Sequence, residues 1–93
     1  MKEDKIYNIK EKMSNILEIP KDILLDLPRI TFVGNLLMSI ENHKGIIEYS
    51  SEYIRIGIKD GTIKLSGIDL MIKTITAEEI IVSGKIVSID FFK

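Results

Sequence analysis

Residues 53–66 read Tyr53-Ile54-Arg55-Ile56-Gly57-Ile58-Lys59-Asp60-Gly61-Thr62-Ile63-Lys64-Leu65-Ser66. Ile54, Ile56 and Ile58 alternate with Arg55, Gly57 and Lys59, the period-two pattern of a strand with one buried face. Asp60-Gly61 follows at once, a pair favoured in two-residue hairpin turns whose central positions both take positive φ. The run from Thr62 to Ser66 then predicts an antiparallel return. One hairpin of this kind makes the chain a β protein in its second half.

The pattern spreads outward from that hairpin. Ile30-x-Phe32-x-Gly34, Ile63-x-Leu65-x-Gly67 and Ile80-x-Val82-x-Gly84 share an apolar-x-apolar-x-Gly core, and Ile47-x-Tyr49 fills the missing slot without its glycine. The starts recur at steps of about 16 or 17 residues. Such a period fits a stacked β-solenoid or an antiparallel meander whose strands bend at the glycines. Asp60-Gly61 and Lys44-Gly45 are chain-reversing signals, and they favour the meander. Gly34, Gly67 and Gly84 lie inside apolar runs, where glycine marks bulges or sharp bends. Bent strands of this kind curl into a small barrel or sandwich, and Gly34, Gly61, Gly67 and Gly84 are its expected structural glycines.

The N-terminal part reads differently. Ile6, Ile9, Met13, Ile16 and Leu17 recur at helical steps, with charged residues mostly on the other face. Pro20 ends that helix near Ile19, and Pro28 closes a short helical piece over Lys21 to Leu27. The expected organisation is one folding unit: a helical leader over 1–27 packed on an all-β domain over 28–93. The fold class is mainly β, with an amphipathic N-terminal helix ahead of a small antiparallel bent-strand sheet.

Composition bounds what such a domain does. The chain has 93 residues, 45% of them hydrophobic, no cysteine and a formal net charge of −1. A domain of this length buries roughly 60–65% of its unfolded surface, enough for a core without disulfides or metals. The absence of cysteine excludes thiolate chemistry and fits a reducing, cytoplasmic setting. Near-zero net charge removes the positive field on which nucleic-acid binders depend. The opening residues alternate charge with apolar side chains and lack the apolar core of a signal peptide. No run approaches the roughly 20 apolar residues of a spanning helix.

The residue types that carry chemistry are sparse. His43, the one histidine, lies in Glu41-Asn42-His43-Lys44-Gly45, which reads as a solvated hairpin loop with no oriented partner for general-base work. Glu78-Glu79 is the one adjacent pair of glutamates, and a carboxylate pair alone does not make a hard-cation site. Ser66-Gly67 and Ser83-Gly84 lack the glycine two residues earlier that a nucleophile elbow needs. No Walker-type or dinucleotide-binding glycine string occurs. Arg55, Lys59, Lys64, Lys73 and Lys85 read as a solvated sheet face. The expectation is therefore a protein without catalytic, cofactor-binding or metal-binding residues.

Four segments carry a family resemblance: Leu27-Pro28-Arg29-Ile30-Thr31, Ile40-Glu41-Asn42-His43-Lys44-Gly45-Ile46, Gly61-Thr62-Ile63-Lys64-Leu65-Ser66-Gly67, and Ile80-Ile81-Val82-Ser83-Gly84-Lys85-Ile86. Together with the helical leader and the ending Ile89-Asp90-Phe91, they resemble the YabP/YqfC family of sporulation proteins, most closely its YqfC branch. The resemblance implies a role in the mother cell of an endospore-forming bacterium, without a known catalytic activity. It also implies association with a membrane protein of the YqfD type, which would place the chain in the cytoplasm, peripheral to a membrane through its partner. These motifs are strand patterns and glycines, so the resemblance transfers no catalytic residue.

Two function classes follow. The first is a non-catalytic interaction or assembly module that binds a membrane-bound sporulation partner or forms a homo-oligomer, since short strands present edges to which a partner strand adds. The second is a β-barrel domain holding a carbohydrate, lipid or peptidoglycan fragment, for which a pocket gathering His43 with Glu41 or Tyr49 is the discriminating feature. Loop tips and arginines are favoured at interfaces, so the expected partner-binding residues are Arg29, Glu41, His43, Lys44 and Arg55.

Overall fold

The computed structural model describes residues 26–93. The amphipathic helix expected over 5–17, with most of the leader, lies outside the described residues. Six strands follow: β1 (Arg29–Val33), β2 (Leu37–Glu41), β3 (Ile46–Tyr49), β4 (Tyr53–Ile58), β5 (Gly61–Ile75) and β6 (Glu79–Phe92). Every neighbouring pair is antiparallel, in the order β1-β2-β6-β5-β4-β3.

The quoted hairpin forms as the alternation demands. Ile54 and Ile56 of β4 and Ile63 and Leu65 of β5 are fully buried, while Arg55 and Lys64 pair on the outer face. The turn itself sits one residue earlier than expected. Lys59 and Asp60 form it, Asp60 alone of the two takes a positive φ of 62°, and Gly61 already belongs to β5. Gly61 answers a different need: a Cβ there would run into the carbonyl of Phe92 on the adjacent strand.

β5 and β6 are about three times the length of the other strands because each serves two arms of the sheet. The first part of β5 pairs with β4 and with the last part of β6, while the second part pairs with the first part of β6, which in turn pairs with β2. The change of arm coincides with register shifts at Ser66/Gly67 and Ile68/Met71. Asp69 there has φ 54° and Gly84 φ 133°. Bulges and glycines at a strand that passes from one layer to another are how packed sheets make corners. Gly67 has no positive φ. Its alpha carbon faces the Lys85 carbonyl, so any side chain would collide with it.

The two arms share a single core. Met38, Ile40, Ile80 and Val82 from one arm and Ile54, Ile56, Ile63 and Leu65 from the other are fully buried in one cluster, closed near the corner by Leu70 and Ile86. Burying aliphatic side chains of this size contributes about 1.5–3 kcal/mol each relative to exposure.

This topology settles the alternative left open by the sequence and corrects three expectations. The solenoid is not formed, because all pairings are antiparallel. A plain meander is not formed either, since β2 and β3 follow each other in sequence yet stand apart, with β6, β5 and β4 between them. The Glu41–Gly45 stretch is consequently a crossing between arms rather than a hairpin loop, held against β4 by Lys44 N–H to Gly57 O (2.7 Å) and Gly57 N–H to Gly45 O (2.8 Å). Nor is Gly34 a bend within a strand. It opens the β1–β2 turn with φ 55°, and that turn caps the corner through Gly84 N–H to Leu36 O and Ile86 N–H to Asn35 O.

Candidate functional site: the surface around β1, the crossing loop and the β5–β6 turn

Three chain segments meet at one end of the domain. The β1–β2 register sets Arg29 opposite Glu41, and the β2–β6 register sets Glu41 opposite Glu79. The β5–β6 turn is closed by Thr76, whose N–H donates to Glu79 O and whose hydroxyl oxygen accepts the N–H groups of Glu78 and Glu79. Glu78-Glu79 thus belongs to an ordered turn, and Glu79 also accepts a hydrogen bond from the Ser39 hydroxyl at 3.0 Å.

Asn42 ties these segments together. Its N–H donates to Glu78 O (2.9 Å) and its Nδ2 donates to Leu27 O (3.1 Å), with the backbone at φ 66°. Asparagine tolerates the left-handed region better than most residues. That tolerance was a sequence signal for Asn42, yet it gives way in any reading that treats 41–45 as a hairpin.

His43 departs from its expectation as a free, solvated residue. Gly45 N–H donates to Nδ1 at 2.9 Å, so the ring proton sits on Nε2, which donates to Thr76 O at 2.8 Å. The imidazole bridges the crossing loop and the β5–β6 turn. His43→Ala is expected to cost about 1 kcal/mol, the net worth of such exposed bonds, in urea unfolding. Lys44→Ala, which keeps both His43 bonds, should stay within about 0.5 kcal/mol of the parent.

The expected contact residues do not all converge. Arg29 and Glu41 line a shallow open depression with Leu27, Asn42 and Thr76–Glu79, and His43 stands in the loop beside it. Arg29 makes no ion pair among the described residues. Lys44 points its backbone toward β4. Arg55 lies on the outer face of the other arm, with Nε 3.5 Å from Glu48 Oε1 and its guanidinium 5.6 Å from the centre of the Phe92 ring. Glu48 also accepts the Tyr53 hydroxyl at 3.0 Å, and this bond, with the carboxylate's charge, holds the phenol above its ordinary pKa.

Among the described residues no three His, Cys, Asp or Glu side chains converge on a cation position. The space between the arms is filled by the core aliphatics, and the depression gathers neither His43 nor Tyr49 into its lining. No helix among the described residues is long and apolar enough to cross a membrane.

No solved structure gives a significant match. The protein described as uncharacterized protein YqfC of Bacillus subtilis (strain 168) is 44% identical over 78 residues, which is 84% of either chain. The YabP family model matches residues 26–93, the whole of the two-armed sheet from the residues before β1 to the end of β6. With its complete β domain inside that match, the chain belongs to the YabP family.

Proposed function

We propose that this protein is a non-catalytic assembly module of endospore formation, which acts in the mother cell by binding a membrane protein of the YqfD type. Membership of the YabP family supports the sporulation setting. The observation that carries the binding reading is the end of the domain at β1. Among the described residues no strand pairs with the outer edge of β1, and Arg29 stands there without an ion-pair partner beside the acidic Glu78-Glu79 turn. An unpaired edge next to a mixed-charge rim suits strand addition, with main-chain bonds giving affinity and charge giving register.

The test is co-expression with the YqfD-type membrane protein, solubilisation in detergent and pull-down through a tag on this chain. The full chain is expected to retain the partner, and Arg29→Glu to weaken retention about tenfold, the effect of about 1.4 kcal/mol at an interface rim. Arg55→Glu, on the other arm, should leave retention unchanged. Equal losses from both variants, or no retention by the parent, would remove the β1 end from consideration.

A further inference from the structure

The last part of β6 is a further free edge. β2 stops pairing with β6 at Ser83, and the β1–β2 turn covers it as far as Ile86, so from Val87 to Phe92 the outer edge of β6 has no partner among the described residues. Edge strands are normally shortened, bulged or charged. β3 is short, interrupted by a register shift, and carries Glu48. The second part of β5 is broken by two shifts and carries Lys73. On β6 the shift at Ser66/Gly67 leaves Val87 as a bulge, and beyond it residues 88–92 read Ser-Ile-Asp-Phe-Phe in unbroken register, with Val87 67% and Phe91 63% exposed.

Asp90 is the one charge in that stretch, and it selects a register. Side chains on paired strands alternate between faces, so a symmetric antiparallel pairing of this edge with itself that keeps the inner faces aligned centres on a residue. Centring on Asp90 would set two carboxylates directly opposite each other, which is destabilising. Centring on Ile89 instead sets Ser88 opposite Asp90, a hydroxyl donor against a carboxylate, and Val87 opposite Phe91. It thereby covers the two most exposed apolar side chains of the edge. The arrangement is isologous, so it closes as a dimer.

We propose that the occupant of this edge is a second copy of the chain, paired antiparallel through β6 about Ile89, so that two arms join into one continuous sheet. This does not depend on the partner proposed for the β1 end, which lies on the other arm.

The absence of cysteine makes the register directly measurable. In the full chain, Ile89→Cys is expected to form an intermolecular disulfide on mild oxidation, because each residue faces its own copy within disulfide reach. Ser88→Cys and Asp90→Cys should each stay unlinked alone and link when mixed. Thr31→Cys, at the middle of the competing edge β1, should not link.

Sedimentation of the parent should give a dimer, and Phe91→Lys should weaken it at least tenfold while retaining the circular-dichroism melt of the parent. Val87→Lys repeats that test at a second exposed position. A parent that sediments as a monomer, a link at Thr31→Cys, or a dimer indifferent to both lysines would overturn the proposal. Phe91→Lys should still hold the membrane partner in pull-down, which separates failure here from failure at β1.

Discussion

Alanine at Gly84 is expected to cost about 3 kcal/mol of stability, a fall in melting temperature of roughly 15 °C for a domain of this size. Two effects add there. The backbone holds φ at 133°, a region that side chains rarely enter and that costs of order 1–3 kcal/mol. A Cβ would also stand 2.6 Å from the Asp69 carbonyl oxygen, so either β5 or β6 must move at the corner, an overpacking cost of about 1–3 kcal/mol. Gly34 separates the two contributions, since it has φ 55° and nothing within 4 Å of the added carbon. Gly34→Ala should therefore show the backbone cost alone, about 1 kcal/mol. Thermal melts of the two variants decide the matter: equal losses would mean that the corner relaxes around the Gly84 methyl, and that close strand approach is not what holds the arms at their angle.

Leu65→Ala is expected to lose about 3 kcal/mol, within the 2–5 kcal/mol found for removing a fully buried leucine. Leu65 is the junction of the core: it lies opposite Ile54 on one side and Ile89 on the other, one turn of the pleat before the corner, and it is wholly excluded from solvent. Ile68, three residues on and 53% exposed, is the control, and Ile68→Ala should lose under 1 kcal/mol. Urea unfolding with an unchanged slope would assign the difference to the folded state. If Leu65→Ala lost no more than Ile68→Ala, the arms would not be packed on one another through Leu65.

Strand identity was legible in the sequence because it rests on local chemistry. The alternation around Ile54, Ile56, Ile63 and Leu65 fixes which side chains face inward whatever the sheet order, and all four are buried. Gly67 and Gly84 were legible as bends for the same reason. The sheet order was not. Lys44-Gly45 carries the residues of a tight reversal, but whether a reversal returns beside its own strand or crosses to another arm depends on the packing partner of β2. That partner, β6, lies some forty residues away. The two-residue turn was displaced by one position for a related reason: Asp-Gly satisfies the local turn rule, yet the approach of Phe92 reserves Gly61 for the strand.

The candidate site was legible in part. Arg29 and Glu41 were named in one expected contact surface, and the β1–β2 register sets them opposite each other. Arg55 was drawn in by residue type alone and belongs to a charged row on the opposite arm, with Glu48, Lys64 and Asp90. His43 was read as solvent-facing because its acceptor, the Thr76 carbonyl, is distant in sequence. Asn42 and the β6 edge went unremarked because their significance arises from three segments meeting and from a strand outrunning its neighbour, neither of which leaves a local pattern.

The pairing of β2 with β6 also sets a timetable for biosynthesis. A ribosome delivers Leu37–Glu41 early, but the strand that flanks it, beginning at Glu79, emerges only near the end of the domain. Throughout that interval Met38 and Ile40 have no layer to bury against, and the nascent β1–β2 ribbon is an isolated two-stranded hairpin, marginal in water. Native structure in the first arm is thus postponed until the second has been synthesised, a delay that exposes aliphatic surface to chaperones and to neighbouring nascent chains on the same message.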